Sequence, residues 1–188
     1  MDGICPKQGA MKNTGKRFEE DIAKSVPDYV LLHRLPDPPQ SFGGSSNLRF
    51  SNKNPFDFIL WDSKAKILYA LEMKTVQEKS ISFEREKTDK GKIHKHQIDG
   101  LNKWNEYDGV ISGFVIEFRQ IEKTIFIDID SFNKILVLIT KKSFNIQDLD
   151  DNNIHYLVIP QTKKRTRYMY DIEYFLERIS EEENGKSN

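Results

Sequence analysis

Cysteine is nearly absent. Cys5 stands alone among 188 residues, so no internal disulfide framework can form, and the usage fits a reducing compartment, the cytoplasm. Four histidines beside one cysteine are too few for the Cys/His sets that build structural zinc sites. No run of about 18 apolar residues occurs, which predicts no transmembrane helix. The first residues also lack the apolar core of a secretion signal. Net charge is absent too: 29 Lys and Arg balance 29 Asp and Glu, which weighs against a uniformly basic nucleic-acid binder. No internal repeat is visible.

What is present is 37% hydrophobic and 31% charged, a composition that predicts one globular domain with a sizeable core. Charge is segregated along the chain. Lys163-Lys164-Arg165-Thr166-Arg167 is basic, as is much of Lys87 to His96, while Gln147 to Asp151 and Ser180 to Glu183 are acidic. Such segregation allows a positive groove on a neutral protein. Residues 1–13 read as a loose arm, 14–180 as the domain, and 181–188 as a polar tail.

The densest pattern is Asn54-Pro-Phe-Asp-Phe-Ile-Leu-Trp61 followed by Ile67-Leu-Tyr-Ala-Leu-Glu-Met-Lys74. Both halves are rich in aromatic and branched residues and read as strands, joined by the short polar link Asp62 to Ala65. The second strand is apolar on both faces until its end, as expected of a central strand. Three charges interrupt the hairpin: Asp57, Glu72 and Lys74. Residues two apart share a strand face, so Glu72 and Lys74 point the same way. Folding about Ser63 brings Asp57 opposite Ala70 to Glu72, with facing side chains roughly 5 Å apart. Two carboxylates buried together repel unless a cation intervenes. Lys74 offsets one of them; a divalent ion bound by Asp57 and Glu72 offsets both, and oxygen-only ligands favour Mg²⁺ or Mn²⁺. That constellation suits metal-assisted phosphodiester hydrolysis, with Lys74 serving the attacking water or the phosphate. The same spacing also suits a Glu/Lys pair on a solvated strand face.

Around this hairpin, Thr14 is placed to cap a helix running to about Ser25, with Phe18, Ile22 and Val26 as its apolar stripe and Glu19 beside it. Tyr29 to Leu35 reads as a first strand, and Pro36 to Ser46 as a Pro/Gly/Ser loop within a longer connection, 36–54. Ile93 to about Tyr107 reads as a helix whose stripe carries one polar residue, Gln97, able to hold a water or phosphate oxygen through its amide. On such a helix His94 and His96 would lie about 200° apart and could not share a metal. Val110 to Phe118 and Thr124 to Ile129 suggest a second hairpin. Ser131 to Ile139 suits either a helix or a strand, His155 to Pro160 a short strand, and Asp171 to about Glu182 an amphipathic helix with Ile172, Phe175, Leu176 and Ile179 inward.

Pro55-Phe56-Asp57, the gap, and Glu72-Met73-Lys74 resemble the motif of the PD-(D/E)xK nuclease superfamily. Within it the chain most resembles the RecU-type Holliday junction resolvases of Gram-positive bacteria and their phages. The likeness runs through Gly15 to Glu20, Ala70 to Thr75, Ser82-Phe83, Ile93 to Gly100 and Val110 to Phe118, and spans roughly Asn13 to Leu176. It implies a restriction-endonuclease-like α/β fold, a central mixed sheet flanked by helices, and a metal-dependent endonuclease that nicks four-way DNA junctions in recombination and repair. It implies metal ligation by Asp57 and Glu72, a catalytic Lys74, and supporting roles for Glu19 and Gln97. It further implies a homodimer, with recombination proteins as further partners and no membrane. The projecting segment around 36–54 would enter the junction, where Phe42 or Phe50 could stack on bases and Arg34, Arg49 and Lys53 could meet phosphates. His94, Lys95, Lys163, Lys164 and Arg165 are the other candidate DNA contacts. The alternatives are a restriction-type or repair nuclease on the same fold, and a DNA-binding module without the chemistry.

Overall fold

The computed structural model describes residues 14–36 and 54–186. In chain order these form α1 (Thr14–Ser25), β1 (Val30–Arg34), β2 (Phe58–Asp62), β3 (Ile67–Val76), β4 (Ser80–Ser82), α2 (Lys95–Asn105), β5 (Val110–Phe118), a 3-10 turn at Arg119–Ile121, β6 (Lys123–Asp128), α3 (Ile129–Leu138), β7 (Ser143–Asn145), α4 (Ile146–Asp151), β8 (Leu157–Ile159), β9 (Gln161–Lys164), β10 (Arg167–Tyr170) and α5 (Ile172–Lys186). Six strands make one sheet in the order β1-β2-β3-β5-β6-β8. β3 and β5 run parallel, and every other neighbouring pair is antiparallel. The fold is therefore α/β, built on a central mixed sheet with helices on both faces.

β2 and β3 form the expected hairpin, with Phe58 paired to Leu71 and Asp62 to Ile67. Asp62 makes the turn: its Oδ1 accepts from the amides of Lys64, at 2.8 Å, and Ala65, at 3.1 Å. Lys66 takes a left-handed conformation, φ 60°, to re-enter the sheet. A parallel partner for β3 requires a crossover, and the chain supplies it through β4 and α2 before β5 arrives.

Two apolar layers sandwich the sheet. On one face Tyr69, Leu71 and Met73 of β3 meet Phe18 and Ile22 of α1 and Phe175, Leu176 and Ile179 of α5. On the other, Ala70 and Val76 meet Ile98 and Leu101 of α2 and Phe132 and Ile135 of α3. Alternation along β3 thus decides which layer each residue joins.

Ser131 to Ile139 resolves as helix, because Asp128 caps it by accepting from Ser131 N at 2.9 Å and Phe132 and Ile135 recur at helical spacing. α5 runs on to Lys186, past the expected polar tail from 181. The basic run at 163–167, which carries no strand pattern, is the turn and flanks of the β9–β10 hairpin. Among the described residues, no helix is long and apolar enough to cross a membrane.

Candidate active site

The site lies where β3 turns polar. Glu72 is 3% exposed, on the layer that faces α2. Its Oε1 receives the Lys74 ammonium at 2.8 Å, and the same oxygen accepts from the Gln97 amide of α2. Gln97 is buried as well, and its own Oε1 accepts from His94 N at 3.0 Å. One side chain thereby closes the α2 N-terminus and touches the carboxylate.

Asp57 precedes β2 and extends its register, which sets it beside Glu72. Its backbone N donates to Leu71 O at 3.1 Å, and its Oδ2 accepts from Met73 N at 2.9 Å. Pro55 fixes the approach to Asp57. A side chain added at Gly100 of α2 would lie 3.0 Å from Pro55 Cα, so α2 presses against the Pro-Phe-Asp segment only because Gly100 has none. Phe56 is buried against Trp104, ring centroids 5.0 Å apart, edge to face.

Glu19 arrives from α1. It accepts from Arg34 Nε at 2.8 Å, across a cleft of about 630 Å³ that Lys16, Glu20, Leu32 and Phe58 also line. Glu20, its neighbour, turns away to pair with Arg167 at 2.9 Å.

The electrostatics follow from burial. Glu72 is pushed up to about 8, chiefly because the sheet strips its solvent; Lys74 opposes the shift, while the charges of Asp57 and Glu19 add to it. Asp57 is raised as well, by burial first and also by Glu19, against the lowering bond from Met73 N. Three carboxylates from three elements therefore feel one another. The joint elevation of Glu72 and Asp57 is the kind of perturbation found where charge is gathered at functional sites.

The other candidates disperse. Arg34 is at the site, bound to Glu19. Arg49 and Lys53, with Phe42 and Phe50, lie outside the described residues. Lys95 pairs with Asp99 one turn along α2. His94 precedes the helix as its N-cap, so the 200° separation expected of a helical pair does not hold. Its ring stacks on His96, centroids 5.5 Å apart and 16° from parallel, while Nδ1 meets Glu84 at 2.8 Å. Lys163 is engaged by Glu122, whereas Lys164 and Arg165 stand exposed at the hairpin turn.

Two acids escape the sequence reading. Glu84 accepts from Lys95 N at 2.9 Å as well as meeting His94, and so closes the start of α2. Glu117, 2% exposed, accepts from Thr75 Oγ1 at 2.7 Å and Tyr170 Oη at 3.1 Å. A lone carboxylate inside the apolar run Val110 to Phe118 was the available signal for the second.

No family model matches this chain. It is 35% identical over 124 residues to the SPbeta prophage-derived uncharacterized protein YotM of Bacillus subtilis (strain 168), a stretch that is 64% of this chain and 58% of that relative. The match thus spans under two thirds of the relative's length. Among the described residues, no three His, Cys, Asp or Glu side chains gather closely enough to form a metal cage on their own.

Proposed function

We propose that this protein is a metal-dependent DNA endonuclease of restriction-endonuclease-like fold that resolves four-way junctions by paired nicks. The observation that carries the proposal is the meeting of Asp57, Glu72, Lys74 and Gln97 at the polar end of the central strand. Side chains from the hairpin and from the crossover helix converge there on one buried carboxylate. The prophage origin in the relative's name accords with the phage branch of the family the motif resembles.

Asp57 and Glu72 fit Mg²⁺ in their chemistry. Both are hard oxygen donors, and burial, which raises the pKa of each, is what a bound cation would counter. Mg²⁺ is commonly held by one or two carboxylates, with water and substrate phosphate completing its shell, so a third protein carboxylate is not required. When bound, such an ion would polarise the phosphate and lower the pKa of its water. Mn²⁺ is the alternative ion.

The chain's own residues do the rest. Lys74, held by Glu72, presents an ammonium to the attacking water or to charge growing on the phosphate. Gln97 fixes the Glu72 carboxylate through one end of its amide while its other end is tied to His94 N. Glu19 supplies a further acceptor for the water and is itself positioned by Arg34. Lys164 and Arg165 suit phosphate contact on the duplex arms. A junction has pseudo-twofold symmetry and needs two nicks, which calls for two copies related by a twofold axis.

The test is cleavage of labelled four-way junction and matched linear duplex, with Mg²⁺ or EDTA, by wild type and Lys74→Ala. Paired symmetric nicks that require Mg²⁺ and vanish in the variant support the proposal. Equal cleavage of both substrates points to a general or restriction-type nuclease. Tight junction binding without cleavage leaves a recognition module.

A further inference from the structure

Arg34 ends β1, and its Nε donates to Glu19 of α1 at 2.8 Å. The next residue carries the pairing of β1 with β2 one step further: Leu35 N donates to Asp57 O at 2.8 Å. One strand end is thus tied to two acids of the site, to Asp57 through the backbone and to Glu19 through a side chain.

Both charges of this pair reach Asp57, Glu19 raising its pKa and Arg34 lowering it. Glu19 acts on Glu72 in the same sense. While the pair is closed, Arg34 offsets Glu19. The centre then offers a cation only Asp57 and a Glu72 that already holds Lys74. With the pair open, Glu19 becomes a third carboxylate for the same cation.

Little free energy holds the pair closed. The Arg34 side chain is 38% exposed and that of Glu19 18%, and both line the cleft beside the site. An ion pair open to solvent is worth about 0–1 kcal/mol. Arg34 Nη1 donates to Leu35 O at 3.3 Å, a long bond that is easily given up. A phosphodiester offers the guanidinium a stronger partner, with two oxygens for a paired grip. Lys16 lines the same cleft, so a phosphate entering it meets two cations. Glu20, also on its wall, is occupied by Arg167.

We propose that Arg34 is a positioning residue that holds Glu19 back from the metal site until a DNA phosphate takes the guanidinium in its place. The Arg34–Glu19 bond then opens, and Glu19 joins Asp57 and Glu72 as a ligand. The proposal rests on the nuclease reading above and adds to it that cation binding and DNA binding are coupled through this one ion pair.

The experiment is a double-mutant cycle on the full chain, with wild type, Arg34→Gln, Glu19→Gln and the double variant, read by two binding measurements in which nothing is cut. The first is Mn²⁺ affinity without DNA, from the paramagnetic resonance signal of the free ion. Arg34→Gln should bind Mn²⁺ at least about threefold more tightly than wild type, and this gain should vanish in the Glu19→Gln background. The second is affinity for junction DNA in EDTA, by gel shift. Glu19→Gln should bind DNA at least about threefold more tightly, and only where Arg34 is present to use its released guanidinium. Equal Mn²⁺ affinity in wild type and Arg34→Gln overturns the inference. So does a gain of the same size with and without Glu19, which reports charge acting through space. If wild type nicks junctions in Mn²⁺ while either of these results holds, the nuclease reading stands and only the coupling fails. Absence of Mn²⁺ binding in all four proteins overturns both.

Discussion

Lys74 and Gln97 meet on a single atom. Oε1 of Glu72 takes the ammonium at 2.8 Å and accepts the Gln97 amide as well. Both donors favour the ionised carboxylate, yet burial outweighs them and lifts Glu72 to about 8. The site is thus held in geometry but left short of positive charge.

That imbalance fixes the pH dependence of the metal-free protein. A carboxyl whose pKa rises on folding binds its proton more tightly when folded, so its stabilisation is complete below the unfolded value of 4.5 and lost as pH climbs through about 8. Asp57 shifts in the same direction. In EDTA, urea denaturation should show stability falling from pH 5 to pH 8.5, by on the order of a few kcal/mol. Glu72→Gln, which cannot titrate, should flatten much of that slope. A wild-type curve that is level over this window would refute the electrostatic description.

Removing the cation should separate chemistry from folding. Lys74→Met should lower Mg²⁺-dependent junction nicking by at least about 100-fold, while junction binding measured by gel shift stays within about threefold. Glu72 should then titrate higher still, because the charge that opposed its rise is gone.

Gly100 offers a test at a residue that carries no reacting group of its own. Gly100→Ala places a methyl against Pro55 and must displace the segment that delivers Asp57. Overpacking of this kind costs about 1–3 kcal/mol. Cleavage should fall by more than the loss of folded protein, measured by circular dichroism on the same samples, can explain.

The hairpin turn reports on DNA contact. If Lys164 and Arg165 each meet a phosphate, Lys164→Ala/Arg165→Ala should make the plot of log affinity against log salt shallower by about 2. The loss should be similar for junctions of different sequence. Lys163→Ala should change the slope little, because Glu122 already holds that ammonium.

Much of this architecture was legible where side-chain alternation and burial coincide. The β2–β3 hairpin could be read, with the partner of Asp57 narrowed to Ala70 to Glu72, because runs of aromatic and branched residues end at Asp57 and Glu72. Of Glu19 and Glu20 in α1, Glu19 is the one whose charge reaches Asp57 and Glu72. Legibility failed where tertiary contacts overrule local pattern. The β9–β10 hairpin lacks a plain apolar alternation, since Lys163 is held by Glu122 and Arg167 by Glu20 and Asp21 of α1. The helix expected from Ile93 starts two residues later, at Lys95, because Gln97 and Glu84 together build a cap around His94. Ser131 to Ile139 suits either state in sequence because its residues are largely branched, and Ile129, expected to end a strand, instead opens α3 behind the capping Asp128.

The last residues to pack against α1 come from far along the chain. Arg17 donates to Thr166 O at 2.7 Å, Ser25 Oγ accepts from Tyr170 N at 3.1 Å, and Phe18 stands edge-on to the Tyr170 ring. A chain emerging from the ribosome N-terminus first therefore gains this brace on α1, the helix that carries Glu19, only once residue 170 is clear of the exit tunnel. Copies that stop short of β10 carry Glu19, Asp57 and Glu72 on elements already made, yet with one side of α1 uncovered.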